Sequence, residues 1–322
     1  MHNDVVTPSA TETLVARLRA AGCVFAEDEA ALLLDAATDA DHLESLVTQR
    51  IAGFPLEHLL GWAEFRGLRV AVGPRVFVPR QRTSFLVEQA IVLGRSMIRL
   101  PVCAGIAHDS TATDAAAGTT ITAARTAAGE HQPIRPRTLM DPAETTVAHA
   151  DSTLIALDMC CGCGALGLAF AKEMAEEGIR VELTAADIEP AAVACARENL
   201  GVVGARVVEG DLFDAVPDLR GRVHILLANT PYVPSEDIAW MPPEARDHEP
   251  RRALDGGADG LDVLRRIAAV AGEWLCAGGH LLVEESEEQA PVAAGIMREY
   301  GLSARIIECE DMGATVVIGT RA

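Results

Sequence analysis

The sequence lacks the segments that would carry a chain into or across a membrane. Its 322 residues include no run of eighteen apolar residues, so no membrane span is expected. The first ten residues, MHNDVVTPSA, have neither a basic start nor an apolar stretch, so a secretory signal is not expected. The 8 cysteines of such a chain are typical of a reducing compartment. Together these features predict a cytoplasmic globular protein.

Positive charge is also scarce. Lys172 is the only lysine, and 27 basic residues face 47 acidic ones, which gives a formal net charge of −20. Broad nucleic-acid binding needs many cations to displace counterions from the phosphate backbone. We therefore expect no direct binding to nucleic acid.

Three cysteines, Cys160, Cys161 and Cys163, form a cluster of the kind found in metal sites. No second CxxC pair lies at the usual spacing, and the cluster falls inside a glycine turn. Packing of small side chains in a tight turn is the favoured interpretation, and no metal is expected.

Local patterns divide the chain into three parts. Residues 1–54 contain short helical patterns that are polar on one side and predict a small helical domain. Residues 55–79 alternate apolar and polar side chains around two glycines, which predicts a linker β-hairpin. Residues 80–322 form the large domain, and a flexible insertion is expected at about 101–152, where bulky apolar residues are few.

Strand and helix patterns alternate from Leu154 to the end of the chain. Such alternation requires a mostly parallel sheet with helices on both faces. The last two strands follow one another across residues 311–313, which predicts a terminal antiparallel hairpin. The expected fold class is therefore α/β, with a small helical domain at the amino-terminal end.

Three strands end in residues suited to a cofactor, since ligands of open α/β sheets bind at the carboxyl ends of strands. The first ends in the glycine turn DMCCGCGALG, where glycines allow close approach of backbone to ligand. Asp187 ends the second strand, where an acid binds ribose hydroxyls, and Asp211 and Leu212 follow the third, where they suit an adenine. The predicted cofactor-binding residues are Asp158, Cys160, Cys161, Gly162, Cys163, Gly164, Asp187, Ile188, Asp211, Leu212 and Asn229.

The glycine turn also matches the dinucleotide fingerprint GxGxxG at residues 162–167. A nicotinamide cofactor is therefore a competing hypothesis, and solvated strand-end acids without a ligand are another. Asp158 favours S-adenosylmethionine, because its charge would repel a pyrophosphate but suits the ammonium group of that cofactor.

The fourth strand runs into Asn229-Thr230-Pro231-Tyr232, which we call the acceptor turn. The Asn229 side-chain oxygen and the Thr230 carbonyl provide two acceptors for the two N–H groups of a planar amide or amine. Pro231 restricts Thr230 to extended geometry, and Tyr232 suits packing against a flat group. These four residues are the predicted catalytic residues of a nitrogen methyltransferase. A simple proline turn after a strand is the alternative.

A resemblance to one family is carried by the acceptor turn and by five further stretches: PLEHLLGWAEFRGLRVAVGPRVFVP, DMCCGCG, AADIEPAAVACAREN, GDLF and EARDHEPRRALDGGADGL. They resemble the HemK/PrmC family of protein N(5)-glutamine methyltransferases, which modify the Gly-Gly-Gln glutamine of peptide-chain release factors. The resemblance covers nearly the whole chain except its amino-terminal end and residues 101–152.

The resemblance implies a seven-stranded Rossmann-like class I methyltransferase sheet and an N-terminal domain that helps to dock a protein substrate. It also implies S-adenosylmethionine as cofactor and a class I release factor as partner. His248 and Glu249 lie in the shared loop and are interpreted as loop structure.

Three departures from the family pattern indicate a divergent branch. Thr230 stands where the family has the first proline of Asn-Pro-Pro-Tyr, and Cys160 stands where a glycine is usual. The segment Arg80-Gln81-Arg82-Thr83 replaces the usual Arg-Pro-Glu-Thr.

Two other functions compete with a glutamine methyltransferase. A nucleobase amino-methyltransferase shares an Asn-Pro-Pro-Tyr-like turn, but the acidic charge and the linker segment argue against it. A non-catalytic homologue would keep the fold without turnover; Asn229 and the acidic cofactor residues argue against that.

Overall fold

A computed structural model of the chain describes residues 10–99 and 153–322. The expected flexible insertion at about 101–152 lies outside the described residues. In the part of the chain that the structure describes, no helix has the length and apolar content needed to cross a membrane.

Three helices form the amino-terminal region: α1 (Ala10–Ala20), α2 (Ala26–Ala36) and α3 (Ala40–Ile51). Asp39 caps α3, because its side chain accepts a hydrogen bond from the backbone N–H of His42 at 2.8 Å. The helices share a small apolar core that includes Leu18, Ala26, Leu33 and Val47.

The linker contains a shorter hairpin than the sequence predicts over 55–79. Residues Leu56–Leu60 form helix α4, and only β1 (Trp62–Phe65) and β2 (Leu68–Ala71) pair as antiparallel strands. Gly61 separates the two conformations by entering the left-handed region at φ 79° and ending α4. The residues between β2 and α5 (Ser84–Arg99) have no regular strand and pass along a cavity at the sheet edge.

The elements of the large domain after α5 are β3 (Thr153–Met159), α6 (Ala165–Glu176), β4 (Arg180–Asp187), α7 (Pro190–Leu200), β5 (Arg206–Glu209), β6 (Val223–Ala228), α8 (Pro243–His248), α9 (Arg251–Leu254), α10 (Asp262–Trp274), β7 (Leu275–Glu285), α11 (Ala290–Glu299), β8 (Leu302–Cys309) and β9 (Ala314–Arg321). The strands form a seven-stranded sheet whose order is β5-β4-β3-β6-β7-β9-β8. β3, β4, β5, β6 and β7 are parallel, whereas β9 runs antiparallel to both β7 and β8. The predicted sheet with its terminal antiparallel hairpin is therefore confirmed.

Helices cover both faces of this sheet. One apolar cluster joins the sheet to α5, α6 and α7, and a second joins it to α10 and α11. The strand order reverses between β3 and β6, where Met159 is in register with Ala228. This reversal leaves a crevice at the carboxyl ends of the two strands, at the point where open α/β sheets bind their ligands.

Candidate active site

A cavity of about 490 Å³ lies at the carboxyl end of the sheet, beside the reversal between β3 and β6. Its volume falls within the range of small-molecule sites. It brings together thirteen of the residues predicted from the sequence: Asp158, Cys160, Cys161, Gly162, Cys163, Asp187, Ile188, Asp211, Leu212, Asn229, Thr230, Pro231 and Tyr232.

The turn after β3 needs left-handed backbone at three positions. Cys160, Gly162 and Gly164 have φ angles of 57°, 55° and 80°. Glycine enters this region without strain, which explains why a glycine is usual at the position of Cys160. Gly164 is absent from the cavity wall; a Cβ added there would lie 2.9 Å from the Leu200 side chain, so this glycine permits close packing against α7.

Asp158 is the most deeply buried acid of the cavity, with 1% of its surface exposed. Its Oδ2 accepts a hydrogen bond from the backbone N–H of Gly167 at 2.9 Å. Burial raises the pKa of Asp158 to about 8, and the nearby Asp187 adds to the shift. A cationic ligand group beside this carboxyl would favour its ionised form.

Asp187 is held by the backbone of two loops. Its Oδ2 accepts from the N–H of Gly162, and its Oδ1 accepts from the N–H of Glu189, both at 2.9 Å. Burial raises the pKa of Asp187 despite these hydrogen bonds, which favour the charged form. The carboxylate is therefore fixed at the cavity wall and keeps lone pairs for ligand hydroxyls.

Asp211 has a partner that the sequence did not predict. Arg266 of α10 donates from Nη2 to Asp211 Oδ2 at 2.8 Å, and both residues line the cavity. Leu212 follows with a φ of 50°, so the chain turns sharply just as it passes the cavity.

The acceptor turn presents buried polar atoms without protein partners. Asn229 Oδ1 and Thr230 Oγ1 are both buried, and neither forms a hydrogen bond within residues 10–99 and 153–322. Buried polar atoms are normally satisfied, so an unpaired side-chain oxygen at a cavity wall indicates a place for a ligand donor.

Tyr232 is fixed from both ends. Its hydroxyl accepts a hydrogen bond from Arg82 Nη2, and its carbonyl accepts from Gln289 Nε2 at 2.8 Å. Arg82 Nε in turn donates to the buried carboxylate of Glu284 at 3.0 Å. Arg82 therefore connects the aromatic residue of the acceptor turn to the end of β7.

Glycines of the loop 255–260 allow that loop to pack on the acceptor turn. A Cβ at Gly256 would lie 2.6 Å from the carbonyl oxygen of Pro231, and a Cβ at Gly260 would collide with the carbonyl of Tyr232. The Gly256 N–H also donates to the Val233 carbonyl at 2.9 Å. Side chains at either glycine would push the loop away from the turn.

The two loop residues interpreted as structural make specific contacts. Glu249 is buried and accepts hydrogen bonds from Arg80 Nη2, at 2.7 Å to each oxygen, and from the Val78 N–H. The His248 ring lies 4.2 Å from the Phe54 ring, centre to centre. These contacts join the loop after β6 to residues at the two ends of the linker, Phe54 on one side and Val78 with Arg80 on the other.

Sequence reasoning missed much of the cavity wall opposite the strand ends. That wall includes Phe77, Pro79, Arg80, Arg82, Met241, Pro250 and Arg252. Phe77 and Pro79 belong to the linker, and Met241, Pro250 and Arg252 lie between β6 and α10. Arg80 and Arg82 belong to the segment 80–83, whose departure from the family pattern was the only signal for it. Among the described residues, no cluster of three His, Cys, Asp or Glu side chains could hold a metal ion.

Comparisons with known proteins agree with this geometry. Residues 142–241 match the Methyltransferase small domain. The chain is 30% identical over 278 residues to the release factor glutamine methyltransferase of Geobacter sulfurreducens, covering 86% of this chain and 76% of that protein. It is 31% identical over 265 residues to the Streptomyces coelicolor protein of the same name, covering 82% and 74%.

A further relative carries a different name. The 4-amino-L-phenylalanine/4-methylamino-L-phenylalanine methyltransferase of Streptomyces pristinaespiralis is 27% identical over 256 residues, covering 79% of this chain and 69% of that protein. The identity and coverage of the first two relatives decide the assignment: the chain belongs to the family of release factor glutamine methyltransferases.

Proposed function

We propose that the protein transfers a methyl group from S-adenosylmethionine to the side-chain amide nitrogen of a glutamine in the Gly-Gly-Gln motif of a peptide chain release factor. The observation that carries the proposal is the buried, unpaired Oδ1 of Asn229 at the cavity wall. Family membership supplies the expected substrate.

The cofactor end of the cavity, formed by the ends of β3, β4 and β5, suits S-adenosylmethionine. Asp158 would hold its ammonium group, because a cation offsets the burial that now raises the pKa of this carboxyl. Asp187 would accept hydrogen bonds from ribose hydroxyls, and Asp211 with Leu212 would contact the adenine. The bound cofactor supplies an activated methyl group on its sulfonium. A dinucleotide fits less well, since its pyrophosphate would face the Asp158 carboxyl.

The acceptor turn would bind and orient the amide. Asn229 Oδ1 and the Thr230 carbonyl accept hydrogen bonds from its two N–H groups. These hydrogen bonds raise the electron density on the amide nitrogen, whose lone pair is otherwise delocalised into the carbonyl of the same amide. Positioning of two bound reactants can contribute roughly 7–11 kcal/mol of the barrier. Tyr232, fixed by Arg82, would pack against the flat amide.

The helices α1, α2 and α3 would help to dock the protein substrate. They are joined to the long loop after β6, since Arg50 donates both to Glu29 within the helices and to Glu244 in α8. Docking on these helices could therefore position a substrate segment beside the same loop that lines the cavity at Met241. A release factor as substrate also implies a cytoplasmic protein.

Methyl transfer from labelled S-adenosylmethionine tests the proposal. We expect label in a class I release factor and none in a matched variant whose Gly-Gly-Gln glutamine is changed to asparagine. A DNA duplex and 4-amino-L-phenylalanine complete the panel. Label in DNA alone would replace the proposal with a nucleobase methyltransferase, and label in the amino acid alone would replace it with a small-molecule amine methyltransferase.

Calorimetry separates the remaining alternatives. Binding of S-adenosylhomocysteine without methyl transfer to any acceptor would support a non-catalytic homologue. Binding of NAD in place of S-adenosylhomocysteine would overturn the cofactor assignment.

A further inference from the structure

Charges are divided between the two ends of the cavity. The acids on its wall, Asp158, Asp187, Glu189 and Asp211, all lie at the cofactor end. The acceptor end is formed by residues 77–82, the acceptor turn, Met241 and residues 250–254; it carries three arginines and no acid on its wall. In a chain with a net charge of −20, this basic lining is a local exception.

Two of the three arginines are neutralised by buried carboxylates behind the wall. Arg80 pairs with Glu249 at 2.7 Å, and Arg82 pairs with Glu284 at 3.0 Å. Arg82 uses Nε and Nη2 for its protein contacts, which leaves the N–H groups of Nη1 for a ligand.

Arg252 is different, because it has no carboxylate partner within residues 10–99 and 153–322. It is exposed and lines the cavity next to Pro250 and Leu254. The preceding Arg251 does not line the cavity and pairs with Asp255 at 3.1 Å. The acceptor end therefore carries one uncompensated positive charge, that of Arg252.

We propose that this end of the cavity is a carboxylate-recognition subsite, in which Arg252 and Arg82 bind an anionic group carried by the methyl acceptor close to its planar nitrogen. The inference rests on the proposed function, since it assumes that the acceptor occupies this end. Arginine suits the task because its planar guanidinium donates paired hydrogen bonds to a carboxylate.

Two kinds of methyl acceptor carry a carboxylate close to a planar nitrogen. One is an acidic side chain next to the acceptor glutamine in a protein segment, and the other is the α-carboxylate of a free amino acid. Either carboxylate would compensate Arg252, and a neutral acceptor would leave it uncompensated.

Binding to protein saturated with S-adenosylhomocysteine tests the subsite. The first probe pair is L-glutamine and L-glutaminamide, which differ in the α-carboxylate. The second is a pair of end-blocked peptides, Gly-Gly-Gln-Glu-Gly and Gly-Gly-Gln-Gln-Gly, which differ in one side-chain carboxylate. We expect about tenfold tighter binding of the carboxylate member in one pair, falling as salt is raised. The pair that shows the preference identifies the source of the carboxylate.

Matched variants locate the effect. Arg252→Gln should remove the preference and Arg252→Lys should retain part of it, while the adjacent Arg251→Gln should leave it unchanged. Equal affinities or undetectable binding within both probe pairs would overturn the subsite. A preference for the carboxylate probe that persists in Arg252→Gln would also overturn it. Methyl transfer to a release factor by a protein without the preference would leave the proposed function standing. A preference without any methyl transfer would remove the proposed function and leave an anion site whose ligand is not a methyl acceptor.

Discussion

Replacement of Asn229 by alanine should separate catalysis from stability in this protein. Asn229 Oδ1 is buried and has no hydrogen-bond partner within the described residues, so the folded protein already carries the cost of desolvating it. Its removal should change the free energy of unfolding by less than about 1 kcal/mol. Loss of one preorganised polar group at a reacting centre costs about 10²–10³ in turnover, or roughly 2.7–4 kcal/mol of barrier. We therefore expect turnover to fall by at least about 10²-fold.

Three measurements on the same preparation establish this pattern. Turnover is measured as methyl transfer to a release factor, cofactor binding as the Kd of S-adenosylhomocysteine, and stability as Tm. For Asn229→Ala we expect Kd and Tm close to those of the wild type.

Asn199 provides the matched control, because it is a buried asparagine whose amide is fully used. Its Oδ1 accepts from the Ala71 N–H at 2.8 Å, and its Nδ2 donates to the carbonyls of Ala71 and Cys163 at 2.9 Å. Asn199→Ala should cost about 1–3 kcal/mol of stability, since it leaves those groups unpaired. Turnover of Asn229→Ala within threefold of the wild type would refute the role of Asn229. A fall in Tm like that of Asn199→Ala would show that the lost turnover reflects folding.

Three further substitutions test the structure around the site. Gly164→Ala should destabilise the fold by more than Gly162→Ala, because both positions need positive φ but only the first lacks room for a Cβ; chemical denaturation of the two variants compares them. Glu29→Gln should cost about 1–3 kcal/mol, because it removes one partner of the buried Arg50 while Glu244 remains as the other. Glu44→Gln at an exposed pair should cost less, and equal losses would contradict the assigned burial. Burial raises the pKa of Glu285 from 4.5 to about 8, so the folded state keeps a proton that the unfolded state loses between these values. Stability should therefore fall as pH rises through that window, by an amount on the order of a few kcal/mol, and Glu285→Gln should make the fall smaller and leave the part that Asp158 contributes; parallel Tm curves for the two proteins would count against it.

Local patterns in the sequence are enough to predict the alternation of strands and helices and the positions of the residues at the end of each strand. These are local properties, since apolar periodicity and glycine turns reflect interactions among near neighbours in the chain. Parallel strands then bring their carboxyl ends to one edge, so Asp158, Asp187 and Asn229 meet at one cavity although each lies at the end of a different strand.

The arrangement of the acceptor end depends on long-range contacts in the folded chain. Arg82 is 150 residues from Tyr232 and 202 residues from Glu284, and no local pattern links such distant positions. The short hairpin, the packing of Gly164 on Leu200 and the unpaired charge of Arg252 likewise depend on long-range contacts. Strand periodicity predicts which edge of the sheet binds the cofactor. The charge at the acceptor end depends instead on which arginines form ion pairs with carboxylates in the folded protein.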